Sequence, residues 1–523
     1  MNEFIMRHQK SIRGVLSGFD RIRFRGTLRW LANTKGMMNF LWTVQVLLKN
    51  FGTYSLDITN KIKTATAEIA EEAGRPVVYV NNSQERKEDI ASEIAKADGV
   101  TEGLIAVLTA VEPCMSYEVG PNAQTKRLEL RYKKRKCLHH YFYFQDPEWG
   151  LMHVRLQTWF PFNMFVCLNG REWLARQMDA AGIRYQKRDN CFLDVEDLDR
   201  AQQLLMDQTQ IDWQSRLTAL AHRVNPTLDR VFNQVPQTLM QYYWSLEECE
   251  WATDVMFKST AALDRLFPRL IQHGLQALSC ADVLRFLGKK IPAHGGVNGH
   301  FMGDVITDLK SRPEGMRLKH TLNYNALKMY NKWSNLRIEG ISNNTRDMKV
   351  YRRPEGEPEG KLTWRRLRKG VADIPRRVEI AQAANDRYLQ ALAAVETDDS
   401  LNELTKPLCQ PVVWQGRRAR ALNPWSPEDG KLLEIINHGE FMINGFRNRD
   451  VRVLLYGEAT DPKEERRQSA AVTRSLRLLR AHQLIKKVPK THRYVLTQQG
   501  VKSVTAILLA RETSAGKLTQ LAG

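Results

Sequence analysis

The chain has 523 residues, a formal net charge of +20, a sequence pI near 9.6 and 43% hydrophobic residues. That apolar content excludes global disorder, and no uninterrupted apolar run reaches the ~20 residues that cross a bilayer. A basic excess of this size favours a polyanionic partner, with nucleic acid ahead of an acidic membrane surface. Met1 to Lys10 is polar and lacks the apolar stretch of a secretory signal. Cys114, Cys137, Cys167, Cys191, Cys249, Cys280 and Cys409 are scattered, with no C-x-x-C pair, which fits reduced thiols in a cytoplasmic protein. Cys137 stands near His139 and His140, but adjacent histidines on a strand point to opposite faces. No second ligand pair follows at finger spacing, so ordinary strand residues are the better reading.

Residues 1–210 read as a mixed α/β domain. Gly18 to Gly26 alternates apolar and basic residues, as a half-buried strand with a cationic face does. Helical periodicity follows over 37–49 and 58–73, then a short strand at 76–80, a charged helix from Ser83 to Ala97 with Ser83 as its cap, and a strand at 104–108. No G-x-x-x-x-G-K-[ST] or GxGxxG loop occurs, which disfavours a nucleotide-hydrolysing motor. The basic run 131–136 leads into His139-His140-Tyr141-Phe142-Tyr143-Phe144, and the turn Asp146 to Gly150 closes a β-hairpin. Aromatic rings beside cations can stack bases, but strand propensity alone enriches aromatics, so core packing is favoured there. A helix over Gly170–Ala181 and an extended piece near Asn190-Cys191-Phe192-Leu193 complete the domain.

Residues 211–300 read as largely helical, broken at Pro226, Pro236, Pro268 and Pro292. The acids Glu247, Glu248 and Glu250 between Trp244 and Trp251 fit the solvated face of such a helix. Residues 301–395 hold a strand pair and a helix: Ala326 to Lys332, a short turn, Leu336 to Ile341, and helical spacing from Pro375 to Val395. Trp364 to Lys369 is a basic patch. Residues 396–424, with prolines and Arg417-Arg418-Ala419-Arg420, read as a linker, 425–512 as the last domain and 513–523 as a tail. The expected fold class is α+β.

The last domain is the most legible. Ser426 caps a helix with Pro427 at its first turn and acids near its positive end; Leu432, Leu433, Ile435 and Ile436 follow, and Gly439 stops it. A second helix fits Asn448 to Leu455. A third, from about Lys463 to His482, sets Val472, Leu476 and Leu479 on one stripe and Arg466, Arg467, Gln468, Ser469, Thr473, Arg474 and Arg477 on another. Two short strands follow around a basic tip carrying Lys486, Lys487, Lys490, His492 and Arg493, then a closing helix from Gln498 to Arg511. The stretch Leu478 to Ile485, continued by Arg493 to Thr497 and Gly500, resembles the third helix and wing of bacterial winged-helix proteins. The resemblance covers about the final sixth of the chain. It implies a DNA reader, with the arginine-bearing helix in the major groove and the wing beside the backbone.

A second, shorter resemblance lies upstream. The Tyr-x-Lys strand ending Tyr330-Asn331-Lys332, followed by Leu336-Arg337-Ile338-Glu339, is similar to a pattern in the initiator endonucleases of rolling-circle plasmids and filamentous phages. Phe19-Asp20-Arg21-Ile22 is similar to their first strand. The likeness implies a tyrosine nucleophile (Tyr330 or Tyr324, between which it does not choose) and Glu339 and Asp20 as ligands of Mg or Mn. Lys332 or Arg337 would sit on phosphate. The chain lacks that family's His-hydrophobe-His motif: Val154 separates His153 from Arg155. The leading expectation is a DNA-binding protein acting in replication or transfer of a plasmid or other mobile element, with no membrane partner. A non-enzymatic transcription regulator and an RNA-binding protein using the aromatic hairpin are the alternatives. The target sequence and oligomeric state are left open.

Overall fold

The alternation at residues 18–26 is part of a longer strand. In the computed structural model β1 runs over Ile12–Leu28, with Ile22, Phe24 and Leu28 buried, Arg21 exposed, and Arg23 and Arg25 half-buried. The structure describes all residues except 1, 82–83, 226–227, 229–231, 233–234, 237–238, 277, 289–304, 355, 358, 394–400, 439–440, 442–444, 460, 490 and 514–523. The expected cap Ser83, the helix stop Gly439, the breaks Pro226 and Pro292 and the candidate DNA contact Lys490 lie outside the described residues. The fold class is α+β, and the chain divides into two compact units. The larger comprises residues 13–256 and 339–382, the smaller 1–12, 257–338 and 383–523.

The larger unit is built on one sheet. Its strands are β1, β2 (Val77–Tyr79), β3 (Gly103–Pro121), β4 (Leu128–Asp146), β5 (Gly150–Gln157) and β6 (Met164–Asn169). After a separate hairpin, β7 (Tyr185–Arg188) and β8 (Cys191–Val195), comes β9 (Tyr242–Phe257). The chain then builds β10 (Ile306–Arg312), β11 (Gly315–Leu322) and β12 (Asn325–Lys332) in the smaller unit. It returns through β13 (Asn335–Ser342), whose residues from Glu339 onward belong to the larger unit. There the strand order is β13-β9-β1-β6-β5-β4-β3-β2. β1 pairs antiparallel with β6, from Arg21 opposite Asn169 to Gly26 opposite Met164, and β2 runs parallel to β3.

Apolar side chains of helices Phe51–Glu72, Gly170–Ala180, Leu198–Asp207 and Trp213–Val224 pack with Phe24, Phe142, Val154 and Val166 into the main core. Each such side chain contributes about 1.5–3 kcal/mol by leaving water. The aromatic hairpin is β4–β5, and its rings are inside. Phe142 and Phe144 enter the main core, while Tyr141 and Tyr143 pack with Ala91, Ile105 and Leu108 in a second cluster. None of these four rings is exposed to meet a base.

Two expectations differ from the structure. Residues 242–257 form strand β9, not helix. Tyr242, Trp244 and Leu246 are buried while Tyr243, Ser245 and Glu247 are half-buried, a period of two that the crowd of acids masks. The segment expected as a linker also folds. Helix Leu401–Thr405 and a hairpin of β16 (Val412–Trp414) and β17 (Arg417–Ala419) occupy it, after a hairpin of β14 (Lys349–Arg352) and β15 (Thr363–Arg366) in the larger unit. Leu408 and Leu422 of that segment lie in the C-terminal core.

That core is otherwise made by helices Pro427–Ile436, Asn448–Tyr456, Pro462–Ala481 and Gln498–Glu512, with β18 (Ile485–Lys487) and β19 (Tyr494–Leu496). The Ser426 side chain accepts from the Asp429 amide at 3.2 Å, as its sequence position implies. Phe446 bridges to Tyr494, adding a one-residue third edge to the β18–β19 pair. Among the described residues no helix is long and apolar enough to cross a membrane, and all seven cysteines are free thiols.

His139 and His140 are both buried. The His140 Nδ1 lies 2.8 Å from the Thr66 hydroxyl and the His139 Nδ1 lies 3.0 Å from the Cys137 carbonyl. Burial, with Arg155 beside His139 and Lys63 near His140, pushes each imidazole down to about 4. The unfolded chain therefore binds these protons first. Their contribution is complete above ~6.5 and is lost as pH falls to about 4. Denaturant titrations should show stability dropping by a few kcal/mol over that interval, and His139→Phe should lose about 1–2 kcal/mol less than wild type. Equal acid sensitivity of the two proteins would refute the assignment.

Candidate metal centre and nucleic-acid interface

Three adjacent strands of the larger unit each bring one carboxylate to the same place. Asp20 on β1, Glu250 on β9 and Glu339 on β13 have ligand oxygens all within 4.8 Å of one another. Asp20 is 8% exposed, Glu339 is 2% exposed and Glu250 is half-buried. Local packing fixes the strands. Phe19 meets Trp251 edge-on at 5.0 Å between ring centroids, so the residue before Asp20 touches the residue after Glu250. The Trp251 indole donates to Gln382 at 2.7 Å. The buried Arg377 guanidinium donates to the carbonyls of Leu246 on β9 and Ser342 on β13, tying two of the three strands together. Arg171, buried, pairs with buried Asp254 at 3.1 Å and donates to the Ala252 carbonyl at 2.9 Å. Gly170 begins the helix beside β1, and a Cβ there would stand 2.5 Å from the Phe19 carbonyl oxygen. Only glycine permits that approach.

Polar and cationic neighbours stand around the acids. The Asn190 side-chain amide, from the β7–β8 turn, donates to Asp20. Burial works against the charge of Arg21, but Glu250 and Asp20 override it and raise that guanidinium above its ordinary value. Arg23 pairs with Glu248 at 2.9 Å, one step along the same two strands. On the other side of β1, Arg23, Arg25 and Arg155 stand 5.4, 5.8 and 4.3 Å from the Phe165 ring centroid. The donor set is all oxygen, which suits a hard cation such as Mg or Mn rather than zinc.

The structure thus brings together Asp20 and Glu339, and adds Glu250, which the reading of 211–300 as helix had set aside. The usable signal was the placing of Tyr242, Trp244 and Leu246 at alternate positions, with Ser245 and Glu247 among the residues between and after them. The tyrosines belong to the smaller unit. Tyr324 is 83% exposed at the β11–β12 turn, where Asn323 and Tyr324 both have positive φ. Tyr330 is 8% exposed, with Lys328 and Lys332 at 6.0 and 5.3 Å from its ring centroid. Arg337 is fully buried and is not a surface phosphate contact.

In the C-terminal region the helix Pro462–Ala481 presents one exposed stripe of Arg466, Ala470, Thr473, Arg474 and Arg477, opposite buried Val472, Leu476 and Leu479. Arg466, Arg474 and Arg477 form no hydrogen bond or ion pair with a described residue, whereas Arg467 is held by Glu464 at 2.8 Å. Gln468 is buried and donates to Glu464, so it is not on that face. Ser469 and Thr473 are engaged by Asn448, whose amide reaches the Ser469 carbonyl and the Thr473 hydroxyl, both at 2.9 Å. Lys486, Lys487 and His492 are exposed around the β18–β19 tip, and the Arg493 guanidinium donates to the Gly445 carbonyl at 3.3 Å.

Comparison with known proteins found no matching family model, no matching curated protein and no matching solved structure. The residues themselves therefore carry the functional reading. A carboxylate cluster that binds a divalent ion should be stabilised by it: millimolar Mg or Mn should raise the melting temperature by a few degrees, since ~2.7 kcal/mol accrues at a hundred times Kd. A chelator should reverse the rise and Glu339→Gln should abolish it. An equal rise in Glu339→Gln would place the ion elsewhere.

Proposed function

We propose that this protein binds duplex DNA through its C-terminal region and breaks a phosphodiester bond at the Asp20–Glu250–Glu339 cluster, as a nicking endonuclease of a plasmid or other mobile element. One observation carries the reading: Asp20 and Glu339, singled out from two short strand patterns far apart in sequence, lie in one cluster with a third acid. The C-terminal elements, three helices followed by a short-stranded hairpin and a closing helix, have the order of a winged helix and support the DNA-binding half.

A bound divalent ion would neutralise charge on the phosphoryl oxygens. Asp20, Glu250 and Glu339 would hold it, with Asn190 and Arg21 orienting and balancing the carboxylates. Tyr324 and Tyr330 belong to the smaller unit, and at the cluster itself the attacking nucleophile is a water molecule. Its oxygen forms the new bond to phosphorus, its proton passes to solvent, and the departing sugar oxygen takes a proton as its own bond breaks. The packed rings of β4 remove the aromatic surface on which the RNA-binding alternative rested.

The test is incubation with supercoiled plasmid and Mg or Mn. Open circles should form without a covalent protein–DNA adduct, with Glu339→Gln slower by at least ~100-fold. An adduct lost in Tyr324→Phe or Tyr330→Phe would replace water by that tyrosine as the nucleophile. Duplex binding with no nicking under either metal would select the transcription-regulator reading and discard the endonuclease.

A further inference from the structure

The hairpin β16–β17 carries something that the linker reading of 396–424 did not anticipate. It is tight: Trp414 pairs with Arg417, and the two turn residues, Gln415 and Gly416, have φ of 52° and 71°. Positive φ at both positions belongs to a turn that matches the natural twist of a two-stranded ribbon. The hairpin is docked on the arginine-rich helix, where the Arg480 guanidinium stands 4.7 Å from the Trp414 ring centroid. At its base Arg420 is spoken for, donating to both carboxylate oxygens of Asp429 at 2.7 Å.

Between hairpin and helix lies a groove of about 620 Å³. Arg417 and Arg418 line it from the hairpin, and Arg474 and Arg477 from the helix. All four are exposed and none forms a hydrogen bond or ion pair with a described residue. Among the described residues no acidic side chain lines the groove. Elsewhere the chain pairs its arginines readily: Arg467 with Glu464, Arg452 with Glu465, Arg216 with Glu148. Four like charges facing one another repel unless an anion lies between them, and guanidinium forks match phosphate oxygens in pairs. Arg474 and Arg477 also belong to the exposed stripe of the helix, so the groove opens directly from that stripe.

We propose that the groove between β16–β17 and the helix Pro462–Ala481 is a phosphate channel that grips the backbone of a DNA duplex, with Arg417 and Arg418 as its outer wall. This rests on the reading of that helix as the DNA-contacting element. It adds an arm, upstream of the three-helix unit, that holds the duplex from a second side. A backbone grip of this kind sets affinity and salt dependence and carries no sequence information.

The experiment is fluorescence anisotropy of the full chain with a labelled duplex across a salt series. Arg417→Ala/Arg418→Ala should weaken binding about tenfold near physiological salt and flatten the logarithmic salt slope by nearly two, about 0.9 for each phosphate no longer neutralised. Its melting temperature should match wild type, because both side chains are exposed. If this variant binds as wild type does while Arg474→Ala/Arg477→Ala is weakened, the hairpin arm is wrong and the DNA-binding reading survives. If wild type itself fails to bind duplex, the reading fails and takes the channel with it. Single-stranded RNA or phosphatidylserine vesicles bound more tightly than duplex, with the same dependence on Arg417 and Arg418, would assign the channel to that other polyanion and overturn the proposal.

Discussion

Mutual repulsion among Asp20, Glu250 and Glu339 is the constraint around which the larger unit is arranged. At an effective dielectric near 20, two carboxylates at such separations repel by about 3–4 kcal/mol. The sheet order β13-β9-β1 makes the encounter unavoidable, and the strands cannot drift apart to relieve it. Phe19 packs on Trp251, Arg377 bonds to β9 and β13 at once, and Gly170 lets a helix press on the Phe19 backbone. Packing on the scale of the whole core overrides an unfavourable local term, which is how a fold keeps a charged site it would otherwise expel.

Charges are met in different ways in different parts of the chain. Arg171 and Asp254 neutralise one another in full burial, as a structural pair must. Around Asp20 stand the Asn190 amide, which donates to it, and Arg21, whose charge Asp20 and Glu250 favour. In the C-terminal region Arg417, Arg418, Arg474 and Arg477 face a groove with no acid among its described lining residues. The formal excess of +20 is therefore not evenly dissolved in surface pairs. The groove holds a local positive surplus of the kind that phosphate oxygens would satisfy.

How much of this could be read from the residues depends on what each element displays. Helix 427–436 shows its cap, its proline and its apolar spacing, and the structure has it at Pro427–Ile436. β1 was visible through arginine alternation, and Glu339 only through the likeness of its Leu-Arg-x-Glu strand to the initiator pattern. Glu250 was hidden because β9 crowds tryptophan and glutamate into a run whose composition resembles a solvated helix, although its burial alternates as a strand's does. The β16–β17 hairpin was hidden for another reason. Each strand has three residues, too few for a hydrophobic period, and its arginines and neighbouring prolines have the composition of a tether. Gln468 misled in the reverse direction, since a polar side chain on an arginine-rich helix looks external but here lies under it, bonded to Glu464.

These placements bear on what kind of DNA recognition the proposed role would allow. The side chains best shaped to hydrogen-bond adenine edges or to adapt to several bases are Gln468, Ser469 and Thr473. The first is buried and the other two are occupied by Asn448. Arg466, Arg474 and Arg477 are what the stripe leaves uncommitted. Arginine reads guanine well and phosphate equally well, so discrimination by this helix would rest on few base edges and affinity on many phosphates. Such a module would hold DNA firmly with modest sequence preference. That suits a protein whose selectivity comes from where its carboxylate cluster can act better than it suits a regulator that must find one operator among many sites.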